Sequence, residues 1–161
     1  MRVKNNVFDY KEVPAQMEKI IQEKISADHL LYVSLKYTKT CDVMLNLIAR
    51  WRSMIEFSID RIMEVAKKKK IIKSIPTAPK LKIDKTKEIY KKNAEIMETM
   101  QLYEFFKRVD NLEKVRENEF RKNVALKVLD RGEWVTIDMD KLKEYSSILE
   151  RFISQIKQIL S

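Results

Sequence analysis

The chain has 161 residues, 45% of them hydrophobic and 35% charged, with a formal net charge of +9. That is long enough to bury a proper core and too apolar for a disordered chain. A single glycine, Gly132, excludes phosphate-cradling loops, dinucleotide fingerprints and nucleophile elbows, which need several glycines for close backbone approach or positive φ.

Residues 1–13 show no sustained period and read as an extended arm, with Pro14 suited to a first helical turn. A short helix to about Lys24 places Met17, Ile20 and Ile21 on one side. Ser26 then offers an N-cap for a segment that is apolar on several faces, through Leu30, Leu31, Val33, Leu35 and Tyr37. From Thr40 to Lys70, Met44, Ile48, Trp51, Ile55, Ile59, Ile62 and Ala66 recur every three or four residues. This is the stripe of a long amphipathic helix, with nothing before it that outright breaks continuity with the segment from Ser26.

Pro76 and Pro79 interrupt the helical pattern, so Ile71 to Ile83 is expected to be a linker, with Asp84 capping a third long helix. That helix carries Ile89, Ala94, Met97, Met100, Tyr103 and Phe106 inward. Asp110 and Glu113 have capping-box spacing and predict a short helix bearing Leu112, Val115 and Phe120. The period then changes to two: Val124, Leu126 and Val128, then Val135, Ile137 and Met139, with Asp130-Arg-Gly132 between them. This predicts a β-hairpin over 123–139, with the glycine where positive φ is needed. A last helix over 141–160 shows Leu142, Tyr145, Leu149, Phe152, Ile156 and Leu160. The expected fold is mainly α: a single-domain helical bundle of three long amphipathic helices and shorter ones, with a β-hairpin before the last helix.

The charge is unevenly placed. Between Lys67 and Lys92 stand eleven lysines and two acids, a local net of +9, so the rest of the chain balances at 22 basic against 22 acidic residues. Four consecutive lysines, Lys67–Lys70, point around a whole helical turn, and no single buried face satisfies them. With Lys73, Lys80 and Lys82 they form the candidate nucleic-acid-binding set, able to release counterions from a phosphate backbone in a salt-dependent, sequence-independent way. The competing readings are a solvated helix end that favours the helix dipole and an interfacial segment for a membrane surface, since Ile71, Ile72, Ile75, Leu81 and Ile83 alternate with the lysines. Arg116, Arg121 and Lys122, with Lys107 and Arg108, make a second basic surface weakened by Asp110, Glu113, Glu117 and Glu119.

Other candidates read as structural. Glu56, Asp60 and Glu64 recur at i, i+4, i+8, a spacing that in helical bundles holds divalent metals. Arg52 and Lys68 extend it into the charge ladder of a solvated face. Glu95-Ile-Met-Glu98 resembles half of the metal signature of all-α nucleoside-triphosphate pyrophosphatases, but no Glu-x-x-Asp follows. His29 has only Asp28 as an orienting neighbour in sequence, and Cys41 suits a small core position. Tyr32, Tyr37, Trp51, Tyr103 and Phe106 fall mostly at core spacing, with Phe105 off that stripe. No apolar run nears the roughly 18 residues of a membrane span. The lone Cys41 forms no internal disulfide, and Met1-Arg-Val-Lys-Asn-Asn precedes no apolar signal region, so the expected address is the cytoplasm.

The run Ala27-Asp-His-Leu-Leu-Tyr-Val-Ser-Leu-Lys-Tyr-Thr-Lys-Thr-Cys-Asp42, followed by Arg50-Trp-Arg-Ser-Met-Ile-Glu-Phe57, resembles the paired long helices of HEPN-type bundles. Those are small prokaryotic domains, often archaeal, linked with RNA cleavage or nucleotidyltransferase partners. Their nuclease signature is an Arg four to six residues before a His. Positions 23–25, before His29, are Glu-Lys-Ile, so the resemblance implies a binding or antitoxin-like relative and carries over no catalytic residue. Cys41-Asp-Val-Met-Leu-Asn46 is similar, more faintly, to the Gly-Asp helix of ribonuclease III-like domains, with cysteine in place of the glycine. The expected function is a non-enzymatic basic module for RNA or DNA, with no cofactor. The alternative is a helical interaction subunit whose apolar stripes and eight methionines pair with a copy of itself, as a homo-oligomer, or with a partner, and a metal-dependent hydrolase on Glu56, Asp60 and Glu64 ranks third.

Overall fold

The computed structural model describes Tyr10 and residues 13–161. The expected arm over 1–13 therefore falls outside the described residues except for Tyr10 and Val13. After a 3-10 turn, Ala15–Met17, helix α1 (Glu18–His29) runs without a break into a π-helical turn, Leu30–Ser34, and a last turn, α2 (Leu35–Tyr37). Ser26 is not a cap: its carbonyl accepts from Leu30 N–H inside the continuous helix. The long helix α3 (Cys41–Lys68) starts afresh because Thr38 and Thr40 adopt non-helical backbone, and Thr40 Oγ1 accepts from Val43 N–H at 3.3 Å.

Helix α4 (Pro79–Ile89) begins five residues earlier than the cap expected at Asp84. Proline is an asset at N1, where its missing N–H is not needed and its φ is already helical. The expected linker therefore shrinks to 69–78. The third long helix is also two helices. Tyr90 ends α4, and Asn93 caps α5 (Ala94–Val109) by accepting from Ile96 N–H at 3.1 Å, while its amide donates to Gln155 at 2.9 Å.

The short helix expected after Asp110 is instead strand β1 (Lys114–Glu117), paired antiparallel with β2 (Ala125–Asp130), which pairs in turn with β3 (Glu133–Asp138). Asp110 spends its carboxylate on Arg52, at 2.5 Å, rather than on a new helix start. Arg131 and Gly132 both have positive φ, the pattern of a two-residue type I′ hairpin. Asp138 then caps α6 (Met139–Leu160), accepting from Lys141 N–H at 2.8 Å.

Helix α3 is the central strut. One continuous apolar cluster joins its stripe to α1, α5, α6 and the inner face of the sheet. At its centre Trp51 stacks on Phe106 with centroids 5.8 Å apart, and Tyr145 meets Phe106 edge-on at 5.4 Å. Buried Ser58, Thr86 and Thr99 satisfy their hydroxyls on the carbonyl one turn back. Lys24 is buried too, held by Asp28 at 2.8 Å, Glu150 at 2.7 Å and Tyr10 at 3.0 Å. Burial opposes its charge, and those three bonds outweigh that and raise its pKa.

Candidate nucleic-acid interface

The lysine turn is built on the end of α3. Lys70 sits at φ 61, so the helix closes as a Schellman motif: Lys70 N–H donates to Lys67 O at 3.0 Å and Ile71 N–H to Ala66 O at 2.8 Å. Glycine normally fills that left-handed position. Here a lysine does, and Lys67, Lys68, Lys69, Lys70 and Lys73 are all exposed.

Pairing separates these lysines from the other members of the set. Lys82 reaches back to Asp60 at 2.9 Å, and Lys80 stands 3.7 Å from Asp84. Lys85 and Lys87 are paired with Glu88 and Glu104. Among the described residues, none of Lys67, Lys68, Lys69, Lys70 and Lys73 forms an ion pair. The Lys82–Asp60 bond lays the start of α4 alongside α3, eight residues or roughly 12 Å of helical rise short of Lys68. The neutralised lysines therefore flank α3, and the bare ones crown it. Ile72 is buried just past the turn and Ile83 on α4, whereas Ile71 and Leu81 are 55% and 54% exposed. A cleft of about 530 Å³ opens beside Lys68 and Lys69, against Arg61, Glu64 and Ile159.

The carboxylate ladder does not form as its spacing implies. Glu56 accepts from Tyr103 Oη at 2.6 Å, Asp60 takes Lys82, Glu64 takes Arg61 at 2.6 Å, and Arg52 turns to Asp110. Glu56 and Asp60 do line a cleft of about 250 Å³ with Tyr103, Pro79 and Ile83. Burial and the Glu56 carboxylate push the Tyr103 hydroxyl pKa upward. No group of three His, Cys, Asp or Glu side chains is placed to hold a metal among the described residues. His29 is exposed, with Nδ1 3.5 Å from Ser34 Oγ. Cys41 is buried, and desolvation, then the Glu119 carboxylate, pushes its thiol up to about 11.

The apolar stripes are consumed internally: Leu142, Tyr145, Leu149, Phe152 and Ile156 of α6 are buried within the chain. Trp51, Tyr103 and Phe106 pack as their spacing predicts, and Phe105 is half-buried against Phe106 and Tyr145. Tyr32 and Tyr37 depart from that expectation and are exposed, as is Phe120, which lies in a loop rather than on a helix stripe. No described helix is long and apolar enough to cross a membrane. The chain matches no protein-family model, and no significant match appears among curated proteins or solved structures.

Proposed function

We propose that this protein is a non-enzymatic basic module that binds nucleic acid, RNA or DNA, through the exposed turn at the end of α3. Lys67, Lys68, Lys69, Lys70 and Lys73 make the primary contacts, and Lys80 and Lys82, each already paired with an acid, contribute secondarily from α4. The supporting observation is the gathering of five exposed lysines without an ion pair at the end of α3, whereas Lys80, Lys82, Lys85 and Lys87 on the neighbouring helix are paired with acids. Five bare ammonium groups on one turn concentrate a field that captures a polyanion. Lysine supplies point charges rather than a bidentate fork, so the contact follows the backbone and not the bases. The resemblance of 27–42 and 50–57 to the helices of HEPN-type bundles, domains linked with RNA cleavage or nucleotidyltransferase partners, is consistent with this reading.

The test replaces Lys67–Lys70 together with glutamine and follows binding of a generic duplex and a single strand by fluorescence anisotropy across salt. The expected result is weaker binding, with the log–log salt slope reduced by about one unit per lysine that touches phosphate. Unchanged affinity and slope overturn the reading. So does binding to anionic lipid vesicles without binding to either oligonucleotide, which would assign Ile71 and Leu81 to a membrane surface.

A further inference from the structure

At the opposite end of α3, the loop 118–123 is fastened to the joint between α2 and α3. Phe120 N–H donates to Lys39 O at 2.7 Å, Cys41 N–H to Glu119 Oε1 at 2.9 Å, and Arg116 reaches Asp42 at 2.8 Å. The fastening holds Phe120 at φ 68, a backbone position that a bulky residue rarely adopts. Its ring gains no burial in return, being 74% exposed, and Tyr37, two residues before its hydrogen-bond partner, is 77% exposed. Strain held in place by surrounding bonds, on a side chain that packs on nothing, argues for a role outside the fold.

The charges around the two rings decide what the surface fits. The acids of the two segments are largely compensated: Glu117 pairs with Lys127, and Asp42 and Glu119 share Arg116, which leaves one negative charge between them. Lys36, Lys39, Arg121 and Lys122 form no ion pair among the described residues. Lys36 lies over the Tyr37 ring at 5.7 Å, and Lys39 is fixed by donating to Lys36 O at 2.5 Å. The joint therefore presents two exposed aromatic rings among four unpaired cations, which outnumber the single carboxylate charge left over. That is the chemistry of a surface on which unpaired bases stack while cations track the phosphates.

We infer that the α2–α3 joint is a second nucleic-acid site, specific for single strands, in which Tyr37 and Phe120 stack on bases and Lys36, Lys39, Arg121 and Lys122 hold the backbone. It differs in kind from the lysine turn, which has no aromatic ring and does not distinguish single from double strands. It also stands without that turn, because none of its groups belongs to it. A duplex, whose bases are already stacked, gains nothing from the rings.

The experiment uses the full chain and a labelled oligouridine of about 12 nucleotides, with the matched duplex as comparison. Phe120→Gly removes the ring and relieves the positive φ, so the fold is retained, and Tyr37→Ala removes the other. Each is expected to weaken single-strand binding about tenfold, to leave duplex binding unchanged, and to keep that difference as salt rises. Phe120→Trp adds a reporter to Trp51 and Trp134, and the quenching by the single strand in excess of the parent's is its signal. Equal single-strand affinity of the Tyr37→Ala/Phe120→Gly double variant and the parent overturns the inference, as does Phe120→Trp emission quenched no more than the parent's at saturating oligonucleotide. Association of the chain with itself through these rings, with no oligonucleotide binding, overturns it as well. The glutamine variant at Lys67–Lys70, measured in parallel, separates the two readings: it lowers duplex and single-strand binding together if only the lysine turn binds.

Discussion

Lys70 gives the sharpest test at the scale of a single residue. Its left-handed backbone costs an L-residue about 1–2 kcal/mol, partly offset by the larger entropy that glycine loses on folding. Lys70→Gly is expected to stabilise the fold by about 0.5–1 kcal/mol, read from urea midpoints at constant m. The same change is expected to weaken polyanion binding at low salt. Stability and binding would then move in opposite directions at one position, which is how a residue kept for its charge rather than its conformation behaves. Lower stability in the glycine variant would show that the Lys70 side chain contributes to the fold after all.

At the scale of elements, most helices were legible because burial follows a 3.6-residue period, and the stripes of α3 and α6 are buried almost residue for residue. Boundaries were less legible: the stripe of α3 begins near Thr40, but nothing in the pattern announced the break from the segment before it, which Thr38 and Thr40 make with non-helical backbone. The break at Asn93 escaped because an apolar stripe continues across it, from Ile83 through Ile96 to Phe106, all buried. Helices α4 and α5 share a core without sharing an axis. Asn93→Ala should therefore cost about 1 kcal/mol through the lost cap, with hydrogen exchange speeding first in the opening turn of α5. Strand β1 escaped for a different reason: Lys114-Val-Arg-Glu117 is an edge strand with its two central residues exposed, so no alternation of apolar residues announces it. The candidate site was half legible. Composition located the lysine turn, but which lysines are neutralised depends on Asp60 and Glu104, distant in sequence. The rings of Tyr37 and Phe120 became visible as a surface only once a loop hydrogen bond joined segments some eighty residues apart.

For the whole molecule, the buried acids set the response to alkali. Desolvation, with Glu119 beside it, raises the Cys41 thiol to about 11, and desolvation raises Tyr145 to about 12; Tyr10, Tyr90 and Tyr103 shift the same way. In the unfolded chain these groups ionise near 8.5 for cysteine and near 10 for tyrosine. Between those values and the raised ones the native state binds more protons than the unfolded state, so stability falls as pH rises. The contribution is complete below about pH 8.5 and fades between roughly pH 9 and 12. Urea midpoints should be flat from neutral pH to about 8.5 and then decline. Cys41 should resist thiol reagents at pH 8 until denaturant is added. A rapidly labelled native thiol would contradict the burial of that side chain.

The Schellman turn at Ala66 O has a thermodynamic corollary. Two amides, of Ile71 and Ile72, converge on that carbonyl at 2.8 and 3.4 Å, so the backbone beneath the lysines is already ordered before any partner arrives. A basic tail that folds on binding surrenders backbone freedom in the act, at about 1–2 kcal/mol per residue. Here association restricts only side-chain rotamers and frees counterions, so its entropy should be favourable and its heat-capacity change small. Calorimetry of the complex would see a rigid comb meeting a polyanion, with none of the signature of coupled folding.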